Sequence, residues 1–181
     1  MERRNETTMN GNSLRRSLRR LGIALLVWVG ARFATAADIP AALPETCYLF
    51  AYFHHDREAE GFRLAWSAHG YRFEPLAGGR SLMQPEAGEH RLMRDPQLYR
   101  DATGLFHLVW TTGWTGKTIG YASSRDLVHW SPQKTLPVMA HEPDAQNCWA
   151  PELVWDDRRG HFLIFWSTTI LGRFPETALS N

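Results

Sequence analysis

Two short motifs place side chains with catalytic potential at corresponding points of the chain. Arg94-Asp95-Pro96 and Trp149-Ala150-Pro151-Glu152 each combine a carboxyl group with a proline at the start of an apolar run. A carboxylate in such a position can take a proton from water, and a neighbouring arginine favours its ionised form. Trp114 and Trp149 offer flat apolar faces of the kind that stack on sugar rings. The motifs therefore predict a substrate-binding pocket lined by Arg94, Asp95, Trp114, Trp149 and Glu152, in which a carboxylate can act as a general base on water.

Each of these residues also has a purely structural interpretation. Asp-Pro commonly starts a turn, so Asp95 can be a cap at the entry of a strand. Glu152 can be a solvated carboxylate with no chemical role. His141 lies in the loop before Trp149, where it either lines the pocket, as we predict, or belongs to an ordinary solvated loop.

Metal binding and a redox role are not favoured by the histidines and cysteines. His54-His55-Asp56 is a tempting ligand cluster, but adjacent residues of a strand point to opposite faces, so one ion could not bind both histidines. Cys47 and Cys148 are the two cysteines, and their spacing leaves open whether they form a disulfide or remain two separate buried thiols. We predict no metal and no cofactor.

The elements that must position these residues are short β-strands. Helical periodicity is weak after residue 37, whereas β-branched and aromatic runs recur between Gly, Asp and Asn turns, which predicts an all-β fold. Four tryptophans at the ends of these runs are expected in the core: Trp110, Trp130, Trp155 and Trp166. The predicted strands are Tyr48–Phe53, Phe62–Ser67, Tyr71–Leu76, Pro96–Tyr99, Leu105–Thr111, Thr118–Ala122, Glu152–Trp155 and His161–Ser167.

An internal repeat organises these strands. The stretch 95–110 matches 150–166, and both contain x-Pro-x-Leu, an acidic turn, glycine, and an apolar strand that ends in Trp followed by Ser or Thr. A second match aligns 66–73 with 122–130, so the period is 55 to 57 residues. A period near 50 built from short strands is typical of β-propeller blades, each of which buries both faces against its neighbours. A β-sandwich with accidental similarity is the alternative.

The N-terminal segment has the pattern of an export signal. Four arginines within residues 15–20 precede the apolar run 21–30 and the Ala34-Thr35-Ala36 cleavage motif, so we expect cleavage after Ala36 and an exported protein. About ten apolar residues are too few for the roughly 20 that span a bilayer, so no stable membrane insertion is expected after cleavage. An uncleaved anchor helix is the alternative, and the arginine spacing fits either the Sec or the twin-arginine route.

The distribution of charged residues also changes after residue 36. Residues 1–36 carry a formal charge of +5 and the remainder carries −4. An acidic body lacks the basic face that a nucleic-acid binder needs, so nucleic acid is excluded as a partner. We therefore predict a signal peptide helix over 1–36 and a propeller domain over 37–181. A ring of four blades needs roughly 225 residues, so this domain is expected to be an incomplete propeller of about two and a half blades.

Taken together, these motifs resemble the N-terminal portion of glycoside hydrolase family 43, over about residues 47–177. The resemblance rests on Tyr48-Leu49-Phe50, on the Arg94 and Trp149 motifs described above, on Leu105–Thr111 and on three further segments. These are Gly120–Leu127 with His129-Trp130-Ser131, His141-Glu142-Pro143 and Gly172–Pro175. Members of this family are five-bladed propellers, usually β-xylosidases or α-L-arabinofuranosidases.

This resemblance implies an inverting glycosidase that acts on pentose-containing polysaccharides or oligosaccharides. The aspartate base of the family falls on Asp95, although related invertase-like propellers use the same motif to stabilise the transition state. The family's general acid and its pKa-tuning aspartate lie in later blades and have no counterpart here. The expectation is a secreted, inactive fragment with a carbohydrate ligand, and the alternative is a non-catalytic carbohydrate-binding or structural propeller piece.

Overall fold

A computed structural model describes residues 44 and 46–173 and confirms the all-β prediction. The described residues form nine strands in three antiparallel sheets, joined by loops and two short 3-10 turns, Glu58–Glu60 and Leu76–Gly79. The predicted signal peptide over 1–36 lies outside the described residues, so its helix and its cleavage stay predictions. Within the described part of the chain, no helix has the length and apolar character needed to cross a bilayer.

The strands follow one another in space as they do in sequence. The first sheet contains β1 (Tyr48–Tyr52), β2 (Arg63–Ser67) and β3 (Glu74–Pro75). The second contains β4 (Arg94–Arg100), β5 (Phe106–Thr111), β6 (Ile119–Ser124) and β7 (Lys134–Leu136). The third contains β8 (Trp149–Asp156) and β9 (His161–Ser167). Each sheet is a simple meander, as expected from connections too short for crossovers.

The internal repeat is visible in the backbone. Arg94 pairs with Thr111 and Trp149 pairs with Ser167, and in both ladders a bulge follows before regular pairing resumes. The bulged residue has a left-handed backbone in each case, with φ of 47° at Asp95 and 48° at Ala150. Proline follows both residues. The Asp95 and Ala150 segments are therefore structural equivalents, 55 residues apart.

The second match of the repeat is also observed, and the structure fixes its register. Ser67 Oγ accepts hydrogen bonds from the backbone N–H groups of His69 and Gly70. Ser124 Oγ accepts the same pair of bonds from the second and third residues after it, Asp126 and Leu127. Gly70 and Leu127 both have positive φ, 82° and 65°. The two turns are thus equivalent at a spacing of 57 residues, and β1 corresponds to β5.

The core lies on both faces of the middle sheet. Along β5, Leu108 and Trp110 pack into one cluster with Phe62 of the first sheet, while Val109 packs into the other with Leu153 of the third. Gly120 permits this arrangement, because a Cβ atom there would lie 2.0 Å from Cε2 of the Trp110 ring. The middle sheet therefore behaves as a layer buried between two others.

Three details differ from the sequence predictions. The strand predicted over Tyr71–Leu76 is reduced to Glu74–Pro75, because a serine-capped turn and a 3-10 turn occupy its ends. Strand β7 was not predicted, since Lys134–Leu136 is short and precedes a proline. Trp155 is 38% exposed, so its predicted place in the core is wrong. Trp110 is fully buried, and Trp130 and Trp166 pack against the core.

Candidate functional site

The candidate site lies where strands β4 and β8 begin. The two strands are neighbours: Gln97 Nε2 donates to the Leu153 carbonyl at 3.4 Å, and Leu153 N–H donates to Gln97 Oε1 at 3.2 Å. This double hydrogen bond fixes the second sheet against the third. The motifs at Arg94 and Trp149 therefore lie at the same end of adjacent strands.

Asp95 is held by a hydroxyl group that also contacts the neighbouring sheet. Thr111 Oγ1 donates to Asp95 Oδ2 at 3.0 Å and accepts the Ala150 N–H at 2.8 Å. Because that oxygen already accepts from Ala150, its proton is directed to the carboxylate. Asp95 Oδ1 has no hydrogen-bond partner among the described residues. One oxygen of the carboxylate is thus fixed, and the other is free to accept a proton.

Arg94 forms its ion pair with a residue that the sequence analysis did not single out. Its guanidinium donates to Glu58 Oε1 at 2.7 Å and lies 3.1 Å from His55 Nδ1. Both side chains of the pair are mostly buried, with 13% and 14% of their surfaces exposed. The ion pair between Arg94 and Asp95 that the sequence suggests is not observed in the described region, because Arg94 pairs with Glu58 instead. The bulge separates these two neighbouring side chains.

The pKa of the Glu58 carboxyl lies below its usual range. The main causes that lower it are a hydrogen bond from its own backbone N–H and the hydrogen bond and charge of Arg94, and they outweigh the opposing effect of burial. Glu58 is therefore ionised at neutral pH, which makes it a poor proton donor.

Aromatic rings enclose the Arg94 guanidinium and extend to Trp149. The centre of the guanidinium lies 3.9 Å from the Trp114 ring centroid and 5.0 Å from that of Phe53. Trp149 Nε1 donates to the Trp114 carbonyl at 3.0 Å, and the two indoles meet edge to face at 6.2 Å. Trp114 remains 47% exposed, so part of this aromatic cluster is accessible.

The remaining two predicted residues are not joined to this cluster. His141 is exposed in the turn after β7, and the Glu152 side chain is exposed on β8. Neither side chain makes a hydrogen bond, ion pair or ring contact with another described residue. Four of the six predicted residues, Arg94, Asp95, Trp114 and Trp149, are therefore brought together by contacts, and these two are not.

Two residues that define the site, Thr111 and Glu58, were not predicted from the sequence. A signal for Thr111 existed, because both repeats place a hydroxyl residue after the strand-ending Trp, namely Thr111 and Ser167. Glu58 had no such signal, since it lies 36 residues before Arg94 in an irregular segment. His55 contacts Trp114 edge to face at 6.1 Å, whereas His54 packs against Tyr52.

The titratable residues of the described region do not converge on a metal centre. No group of three or more His, Cys, Asp or Glu side chains with suitable geometry is found over 46–173. Both cysteines are free thiols: Cys47 is half-buried and Cys148 is buried. The disulfide alternative is therefore not realised.

Comparison with known proteins places these observations in a family. No curated protein and no solved structure matches the chain significantly. The family model of a probable glycosyl hydrolase domain related to glycoside hydrolase family 43 matches residues 44–177, which include all nine strands and the Asp95 site. The chain therefore belongs to this family of probable glycosyl hydrolase domains related to family 43.

Proposed function

We propose that the protein is an exported glycosidase that cleaves pentose-containing glycans with inversion, and that Asp95 is the general base. The observation that carries this proposal is the unequal environment of the two carboxylate oxygens. Thr111 holds Oδ2, while Oδ1 has no described partner. In an inverting mechanism a carboxylate takes a proton from the water that attacks the sugar, and a fixed carboxylate with one free oxygen suits this task.

The aromatic residues supply the binding surface in this proposal. A pentose ring presents C–H groups on its faces and hydroxyls at its edge, so it can pack on the exposed part of Trp114. The ion pair with Glu58 holds the Arg94 guanidinium against the Trp114 ring. Arg94 is thus a positioning residue for Trp114. His141 and Glu152 stay candidates for binding more distant parts of the substrate.

An inverting glycosidase also needs a general acid, with the two carboxyl groups about 6.5 to 9.5 Å apart. Glu58 does not suit this role, because its ion pair with Arg94 and its lowered pKa keep it ionised. General acid catalysis contributes roughly 10² to 10⁴-fold. We therefore propose that the chain alone is inactive on natural glycans, as the sequence leads us to expect, and hydrolyses only aryl glycosides, whose leaving groups need little protonation.

Turnover of an aryl β-xyloside and an aryl α-L-arabinofuranoside by the full chain tests the proposal. Asp95→Asn should lower turnover at least about 100-fold, since it removes the base but keeps the shape. Asp144→Asn, an exposed carboxylate outside the cluster, should leave turnover unchanged. NMR of the first product should show inverted anomeric configuration. Equal activity of Asp95→Asn and the wild type would reduce Asp95 to a strand-entry cap, and sugar binding without turnover would favour a non-catalytic carbohydrate-binding protein.

We also propose that the three sheets are blades of a five-bladed propeller. The repeated bulge, the repeated serine turn and the burial of both faces of the middle sheet support this arrangement. The outer faces of the first and third sheets present large apolar groups, among them Phe50 and Phe165, 54% and 52% exposed. Such faces fit further sheets. If they are blade interfaces, replacing Phe50 and Phe165 with serine should reduce self-association of the chain in sedimentation experiments, and unchanged association would contradict it.

Export stays a prediction from the N-terminal pattern. Sequencing the N-terminus of material recovered from the periplasm or medium should give Ala37 as the first residue. Recovery of an intact Met1 there would overturn the predicted cleavage.

A further inference from the structure

A cavity of about 280 Å³ lies at the opposite end of strands β4 and β8 from Asp95. It opens where these strands end, between the second sheet and the third, and it is lined mainly by Tyr99, Asp101, Thr103, Trp155, Asp157 and Phe162. A strand rises about 3.3 Å per residue, so the length of β4 separates this cavity from the candidate catalytic site by roughly 20 Å. It is therefore a separate feature of the molecule.

Three aromatic rings form one wall of the cavity. Phe162 meets Tyr99 edge to face at 5.6 Å and meets Trp155 at 4.9 Å with a 70° angle between the rings. These contacts fix the rings on strand ends, while Trp155 keeps 38% of its surface exposed. A strand-end tryptophan that is held by neighbouring rings but not covered offers a rigid apolar platform.

Polar groups with unused hydrogen-bonding capacity surround this platform. The Tyr99 hydroxyl, the Trp155 indole N–H and the exposed Asp157 carboxylate make no hydrogen bond to another described residue. They offer donors and acceptors together. Asp101 Oδ1 is fully used by Thr103 and by the Leu105 N–H, whereas its Oδ2 contacts only His107, at 3.1 Å.

We propose that this cavity binds one sugar ring of a glycan chain, as a second carbohydrate site apart from catalysis. A sugar has an apolar face for an aromatic platform and hydroxyl groups that both donate and accept hydrogen bonds. An organic ammonium ion also fits aromatic rings and carboxylates, but it cannot accept from the Tyr99 hydroxyl or the Trp155 N–H. The mixture of donors and acceptors therefore favours a polyhydroxyl ligand. Such a site would hold the protein on its polymer while the distant site meets another segment.

The test is calorimetric titration of the full chain with xylotetraose and with arabinotetraose, in a Trp114→Ala background that weakens the first site. Trp155→Ala should reduce the remaining affinity about tenfold or more, as removal of an anchoring aromatic does. Tyr71→Ala removes an aromatic side chain that is 90% exposed outside the cavity, and it should leave binding unchanged. Asp157→Asn, at an exposed position, should weaken binding several-fold without changing the melting temperature.

The outcomes separate this proposal from the catalytic one. Loss of aryl glycoside turnover in Asp95→Asn with intact tetrasaccharide binding would leave the second site standing. Tetrasaccharide binding that is unaffected by both Trp155→Ala and Asp157→Asn would overturn it. Binding of tetramethylammonium, but of neither sugar, would also overturn it and would identify a cation site.

Discussion

Replacing Thr111 tests the hydrogen-bond bridge between Asp95 and the third sheet. The side chain is 1% exposed, and its hydroxyl joins the Asp95 carboxylate to the Ala150 N–H. Thr111→Val keeps the shape but leaves that N–H without its acceptor, which costs about 1 to 3 kcal/mol. Thr111→Ser keeps the hydroxyl and loses one buried methyl group, about 0.8 kcal/mol. We therefore expect valine, the closer match in volume, to be the more damaging substitution.

Urea unfolding followed by tryptophan fluorescence measures both variants. A loss of 2 kcal/mol corresponds to an increase of about 30-fold in the unfolding equilibrium constant, and it should appear as a lower midpoint with an unchanged slope. Thr111→Ser should fall between Thr111→Val and the wild type. If Thr111→Val were as stable as the wild type, or more stable than Thr111→Ser, the hydroxyl would not form the bridge and the reasoning about Asp95 would fail.

Three further predictions concern stability and reactivity. Gly120→Ala should destabilise the protein by about 1 to 3 kcal/mol in thermal unfolding, because its methyl group would collide with Trp110, and Trp110→Leu in the same chain should recover part of the loss. Hydrogen bonds from Thr103 and His107 hold the pKa of Asp101 well below its usual range, so its contribution to stability is complete above about pH 4 and is lost as the pH falls further. Asp101→Asn should accordingly flatten the acid side of the stability profile, and an unchanged slope would contradict this. Burial raises the pKa of the Cys148 thiol to about 11. Iodoacetamide at pH 8 should therefore label Cys47 in the native protein and Cys148 only after unfolding. Rapid labelling of both thiols in the native protein would contradict this prediction.

The repeat was the part of the fold that could be predicted best. Proline, leucine and an acidic turn recur because the second and third sheets contain the same bulge and the same hairpin, and these local features depend on consecutive residues. The acidic turns are alike in detail: Asp101 Oδ1 accepts from Thr103 N–H, and Asp156 Oδ1 accepts from Arg158 N–H. The same recurring residues predict that Asp95 and Trp149 lie at the same end of neighbouring strands.

What could not be predicted depends on contacts between distant segments. Nothing near Glu58 indicates that it will meet Arg94, because that contact arises only when the 3-10 turn after β1 packs beside β4. Trp155 was placed in the core because tryptophan at a strand end usually packs inside. Its exposure follows from its position at the end of β8, where the neighbouring sheet leaves a cavity.

The left-handed backbone shared by Asp95 and Ala150 shows that the conformation at this point does not depend on the chemistry of the side chain. Two sheets adopt the same unusual conformation, yet one carries a carboxylate at that point and the other only a methyl group. The conformation therefore belongs to the bulge and not to any one reaction. The second and third sheets therefore each offer one position, at the same end of neighbouring strands, whose side chain can change while the hydrogen-bonded ladder beside it stays as it is.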